Sequence, residues 1–314
     1  MIFPLQGQVS EFFRESSDLT VNKFMMVSEG IFEAKTTNMN RVKDLMGRVR
    51  DKPETLPVSH YTYMMRFYEL SDVEKKKLIK AVSCLCFYLL GDKVKYLILD
   101  GLSWERGEKK NHLLVLSLLV GSVSIPLWWV ELDKKGKSSF KERKQLFDEV
   151  FSHFDLSGLI LLADREYDGM KWFNYLKDNG LDFVIRLKKR AYQFNINQCC
   201  GKDAVGDNQQ KARYSKLEKL AEFSRYRKCG VRKKFKLGNG EFTFVVLKNP
   251  QDDTKEPLLY FLSSLTTKRK IITSYLLRWK IECCFKHIQS NGFNLTQNGF
   301  KDPEKIELLM SQVV

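Results

Sequence analysis

The 314-residue chain has few residues that commonly hold zinc or form disulfides. Its four histidines, His60, His112, His153 and His287, show no zinc-type spacing. None of its seven cysteines sits in a CxxC pair. An odd cysteine count without a disulfide framework predicts a reducing compartment. The start, MIFPLQGQVSEFFRE, lacks both a basic lead and a continuous apolar stretch, so it does not read as a signal peptide. No internal repeat or low-complexity tract is visible. The longest apolar run, LLVLSLLVGSVSIPLWWV (113–130), is broken by Gly121, Ser122, Ser124 and Pro126. Two strands and a turn explain it better than a membrane span.

What is abundant is positive charge. Lys and Arg number 53 against 38 Asp and Glu, a formal +15. A charge that large favours a polyanionic partner, nucleic acid first. Between Arg186 and Lys236 sixteen basic residues face four acidic ones. Most of the excess is therefore concentrated in one segment, with Arg232, Lys233 and Lys234 as its densest cluster.

Hydrophobic periodicity divides the chain. Residues 1–90 read as mostly helical. In 71–90, Ser71 is a candidate N-cap with Glu74 as its capping-box partner. Strands are predicted at 93–100, 112–121 and 124–133, then a Ser-capped helix over 138–154. A strand at 159–164, a helix ending in Gly over 168–180 and a strand at 182–189 follow. The order predicts an α/β fold, a mixed sheet covered by helices. Residues 190–261 interrupt it as a basic, β-rich insertion, with a hairpin at KLGNGEF. A last helix over 274–290, capped by Ser274, returns to the sheet. The expected units are 1–90, a core of 91–189 with 262–314, and the insertion 190–261.

Three acids stand where polynucleotide chemistry would need them. Asp100 ends the apolar strand YLILDG, and Asp164 ends LILLAD. Glu282 lies on the late helix. Two carboxylates at strand ends and a third on a helix can hold two divalent ions for phosphodiester chemistry. Oxygen ligands favour Mg²⁺, with Mn²⁺ as a substitute. On one continuous helix Tyr275, Arg278, Glu282, Lys286 and Gln289 would fall within about 80° of one another. Leu277, Ile281, Cys284, Phe285 and Ile288 would form the apolar stripe beside them. Each feature has a plainer explanation: Asp starts turns well, and Glu282–Lys286 is an ordinary i,i+4 pair. Trp128 and Trp129 read as sheet packing, and Cys283 and Cys284 as small buried or half-buried residues.

Together, DGLSWERG, DREYDG and YLLRWKIECCFK resemble the motifs of DDE transposases of bacterial insertion sequences, specifically the insertion sequence 4 family. The resemblance covers about 93–300. It implies a ribonuclease-H-like core with a β-rich insertion between the second and third acids. Asp100, Asp164 and Glu282 become the metal-binding triad, with Asp100 bridging both ions. Tyr275 and Arg278 match the family pattern Tyr-x2-Arg-x3-Glu-x6-Lys and would contact the DNA backbone near the scissile bond. The lysine position is Gln289, and Lys286, one turn earlier, is its candidate substitute. The implied activity is hydrolysis at an element's ends, then attack of the 3′-hydroxyl on target DNA. Double-stranded DNA would be the partner, bound by a homodimer in the bacterial cytoplasm at the nucleoid, without membrane. Residues 1–90 would read the element's end, with Lys35, Arg41, Lys43 and Arg48 as phosphate contacts.

Family members continue with further apolar helix, whereas PEKIELLMSQVV stops at Val314, so a truncated copy is expected. Gln289 and that short end make a silent DNA-binding inhibitor of transposition the alternative. A nuclease without strand transfer is the third reading, although it has less need of the basic insertion.

Overall fold

The computed structural model describes residues 6–106, 109–132, 134, 136–188, 229–237, 240–249 and 256–314. Six helices come first: α1 (Gln6–Phe12), α2 (Asp18–Ala34), α3 (Met39–Val42), α4 (Met46–Val49), α5 (Pro57–Tyr68) and α6 (Asp72–Leu90). Strands β1 (Tyr96–Arg106), β2 (Lys109–Val120) and β3 (Val123–Glu131) follow, then α7 (Phe140–His153), β4 (Ile160–Ala163), α8 (Met170–Asp178) and β5 (Asp182–Leu187). After these come β6 (Cys229–Leu237), β7 (Gly240–Lys248), β8 (Leu258–Ser263), α9 (Lys268–Tyr275), α10 (Lys280–Lys286) and α11 (Pro303–Ser311). The strands are hydrogen-bonded in the order β3-β2-β1-β4-β5-β8-β7-β6. The fold is α/β, a mixed sheet with flanking helices, as expected.

The chain forms two compact units, and their boundary passes through β1. The first comprises residues 1–94, 101–136 and 280–314. The predicted cap of α6 is present: Ser71 Oγ accepts the Glu74 N–H at its head. The apolar run at 113–130 is the β2–β3 hairpin, turning at Gly121 with φ +60°, a conformation glycine adopts without strain. Pairing slips by one residue near Pro126, which has no N–H to give the ladder. Trp128 and Trp129 are buried here, as predicted, and Trp129 Nε1 donates to the Glu307 carbonyl of α11. That helix packs on α6 and β3, with Leu308, Leu309 and Met310 in the core.

The second unit comprises residues 95–100 and 137–279. β1 pairs in parallel with β4, and β4 with β5; β5–β8, β8–β7 and β7–β6 are antiparallel. Ser139 caps α7 through a full capping box with Glu142. Burial of Phe147, Trp172, Phe173, Phe183 and Phe242 fixes α7 and α8 in this unit. Phe173 and Phe183 stack at 5.5 Å.

Four local expectations change. β1 does not stop at Asp100 but runs on to Arg106, because its parallel pairing with β4 ends at Leu99–Ala163 while the strand itself continues. β8 was not anticipated; its LLYFLS run becomes a strand between β5 and β7. The late helix is two helices, α9 and α10, with tight turns at Leu277 and Arg278 bonded back to Ser274 and Tyr275. Ser274 is therefore no cap: it is buried inside α9 and its hydroxyl bonds Tyr96. A π-type turn, His287–Asn291, follows α10, so Tyr275, Arg278, Glu282, Lys286 and Gln289 do not share one helical face. Of the apolar stripe, Ile281, Phe285 and Ile288 are buried and Leu277 and Cys284 half-buried, whereas Cys283, expected to be buried or half-buried, is exposed.

Candidate active site

In the second unit, four-residue apolar runs carry β1 and β4 through the core side by side. Leu99 pairs with Ala163, so Asp100 and Asp164 are the next residues on adjacent parallel strands. Residues in register on neighbouring strands share a face, with the strands about 4.8 Å apart. Two carboxylates are thus presented together, and Asp164 opens the one-turn helix Arg165–Tyr167.

Each carboxylate has a donor from the α9 end. Arg278 Nη1 makes an ion pair with Asp100 Oδ2 at 2.9 Å, with both side chains largely buried. The Tyr275 hydroxyl donates to Asp164 Oδ1 at 3.1 Å, and its ring packs on Phe261. Burial and then the Asp164 charge raise the Tyr275 pKa, so the phenol remains a donor.

Two partners were not legible beforehand. Arg186, on β5, lies 3.8 Å from Asp164 Oδ1 and 2.6 Å from Glu256 Oε2. Glu256 also accepts from Arg165 at 3.1 Å. Burial opposes the charge on Arg186, but Tyr275, Glu256 and Asp164 outweigh it and hold its pKa above the ordinary value. A lone arginine inside the apolar strand DFVIRL was the available signal for Arg186; Glu256 left none.

The donor set fits a hard divalent cation. Asp100 and Asp164 offer carboxylate oxygens side by side, which suits Mg²⁺ or Mn²⁺ better than zinc. Among the described residues no three His, Cys, Asp or Glu are grouped so that they could hold a metal ion. Glu282 is exposed on α10, in the first unit, as is Lys286. Gln289, in the same unit, donates from Nε2 to the Ser103 carbonyl at 2.9 Å. Arg232, Lys233 and Lys234 lie on β6, where only the backbone is described; pairing of Arg232 with Phe244 and of Phe235 with Phe242 leaves the two lysines opposite Thr243. Lys35, Arg41 and Arg48 are exposed and Lys43 is half-buried, with Arg48 paired to Glu33 at 2.5 Å. No helix among the described residues is long and apolar enough to cross a membrane.

A family model described as "Transposase DDE domain" matches residues 98–313. No curated protein matches the chain. Among solved structures, similarity extends to a piggyBac transposase in a synaptic complex with hairpin DNA, solved by cryo-EM, at 10% identity and a TM-score of 0.47. The match covers 95% of this chain and 64% of that one, so the chain spans less than two thirds of its length.

Proposed function

Because the chain belongs to the transposase DDE domain family, we propose that it cuts DNA at the ends of a mobile element and joins them to a target. The ribonuclease-H-like core and the insertion sequence 4 grouping are part of this reading. The observation that carries it is the placement of Asp100 and Asp164 at matched positions beyond the parallel β1–β4 ladder, with Arg278 and Tyr275 on them. The acids assigned to Mg²⁺ or Mn²⁺ are Asp100, Asp164 and Glu282. When bound, the cation activates the attacking oxygen and stabilises the leaving one.

The protein's own groups do the rest. Arg278 and Arg186 orient the two aspartates, through ion contacts of 2.9 Å to Asp100 and 3.8 Å to Asp164. The same guanidiniums suit phosphate oxygens, to which arginine binds in bidentate fashion. In the first reaction water adds to the phosphorus and the strand's 3′-oxygen leaves, taking a proton, as a 3′-hydroxyl. In the second that hydroxyl attacks a target phosphodiester and displaces a new 3′-oxygen. The partner is double-stranded DNA, held by a homodimer at the bacterial nucleoid. Residues 1–90, the core 91–189 with 262–314, and the basic insertion 190–261 divide end recognition, chemistry and backbone binding.

The test is Asp100→Ala in a Mg²⁺-dependent DNA nicking assay at equal folded concentration. Cleavage should fall to background while DNA binding persists, and Mn²⁺ should replace Mg²⁺ in the parent. Undiminished nicking by the variant removes the mechanism. A silent DNA-binding inhibitor is the second reading, favoured by Gln289, whose amide is engaged by a backbone carbonyl. It predicts that the folded, DNA-bound parent does not nick at all.

A further inference from the structure

Arg186 has two carboxylates within reach and is not shared equally between them. Its Nη2 forms a closed ion pair with Glu256 Oε2 at 2.6 Å. Its Nη1 stops 3.8 Å from Asp164 Oδ1, beyond hydrogen-bonding distance. Its Nε is buried without a hydrogen-bond partner among the described residues. A guanidinium carries five donors, so Arg186 stays back from Asp164 with donors to spare. At the neighbouring acid the outcome differs, since Arg278 closes on Asp100 to 2.9 Å.

Glu256 is held in place from two sides. It lies just before β8, and its backbone is tied to Asn249, itself buried. The Asn249 side-chain Nδ2 donates to the Glu256 carbonyl at 2.9 Å, and the Asn249 backbone N–H donates to the Pro257 carbonyl at 2.8 Å. From the other side Arg165, in the one-turn helix that follows Asp164, donates from Nη1 to both Glu256 carboxylate oxygens at 3.1 Å. Arg165, Glu256, Arg186 and Asp164 thus form a series of alternating charge. A lone ion pair of this exposure contributes little to stability. This series, however, ends on an acid assigned to the divalent cation. With two guanidiniums on it, the Glu256 carboxylate is itself occupied.

We infer that Glu256 is a positioning residue that keeps Arg186 off Asp164 and so leaves that carboxylate open to the divalent cation. This role rests on the metal-dependent reading above. Arginine and a hard cation compete for the same carboxylate oxygens, and a guanidinium seated on Asp164 must be displaced before an ion can enter. Glu256 gives Arg186 a nearer acceptor and removes that competition. Without it, Arg186 closes the gap to Asp164.

The experiment is Mn²⁺ binding by the DNA-free full chain, followed by loss of the electron paramagnetic resonance signal of the free ion, which needs no turnover. Glu256→Gln keeps the side-chain shape and loses the charge. It should weaken Mn²⁺ binding about tenfold, the equivalent of one charged hydrogen bond to be displaced. Loss of a nearby negative charge weakens cation binding whatever Arg186 does, so the comparison is repeated without Arg186. Arg186→Gln should bind Mn²⁺ at least as tightly as the parent. Arg186→Gln with Glu256→Gln should match Arg186→Gln alone within about twofold. Arg186→Met supplies the same background if the glutamine variant does not fold. Equal weakening by Glu256→Gln with and without Arg186, or no weakening in the parent, overturns the positioning role and leaves the cation site standing. A parent that binds no Mn²⁺ overturns both.

Discussion

Glu307→Gln should remove a penalty that the first unit carries at neutral pH. The Glu307 carboxyl is enclosed between α11 and β3 and accepts the Glu131 N–H at 2.7 Å. Burial raises its pKa from 4.5 to about 7; the Glu131 N–H opposes this, the Glu131 and Glu304 charges add to it, and Lys76 pulls weakly the other way. The folded state therefore holds this proton more tightly than the unfolded chain does. Below pH 4.5 both states are protonated and nothing is lost. Between 4.5 and 7 the unfolded chain ionises first, so stability falls as pH rises. At 1.36 kcal/mol per tenfold, the full loss is about 3 kcal/mol above pH 7. Glutamine stays neutral, and its carbonyl can still accept the Glu131 N–H. Urea unfolding of parent and variant should nearly coincide near pH 4.5 and separate by pH 8, with the variant the more stable by up to about 3 kcal/mol. Other carboxylates titrate in both proteins, so only the difference between the curves is read. A difference that stays flat with pH refutes the reasoning, because Glu307 would then be ionised in the folded protein at no cost.

Gln289→Lys should raise Mg²⁺-dependent end nicking by about fivefold, because a charged donor holds a phosphate about 1 kcal/mol better than an amide does. The ammonium can still donate to the Ser103 carbonyl that Gln289 now holds. A neutral or lower rate at equal folded concentration means that Lys286 already fills the role or that this edge does not meet DNA. Neutralising Arg232, Lys233 and Lys234 together should lower the salt slope of binding by up to about 3. An unchanged slope means that the cluster only solvates the surface.

Much of the architecture is decided by local sequence. Apolar runs of four before Asp100 and Asp164 are enough to make the buried stretches of β1 and β4 that each lead to a carboxylate, since an ionised group does not enter the core unpaired. Ser71 and Ser139 start their helices through hydrogen bonds that span three residues. Gly121 turns the β2–β3 hairpin because its backbone tolerates a positive φ. The broken apolar run between 113 and 130 follows from the same turn chemistry.

What only the tertiary structure decides is where distant charges meet. That Asp100 and Asp164 are neighbours depends on the β1–β4 register, which no local pattern encodes. Arg278 reads in sequence as a phosphate ligand, yet from the turn after α9 it pairs with Asp100, in the middle of β1. Arg186 and Glu256 are joined through the β5–β8 pairing, across a wide gap in sequence. The late helix breaks between Tyr275 and Lys280, although its residues suit a continuous helix, and Ser274, read in sequence as its cap, is buried with its hydroxyl on Tyr96. Sequence fixes the chemistry each residue can perform within a few bonds of itself; strand register and packing choose its partner, because those contacts are made by residues far apart in the chain.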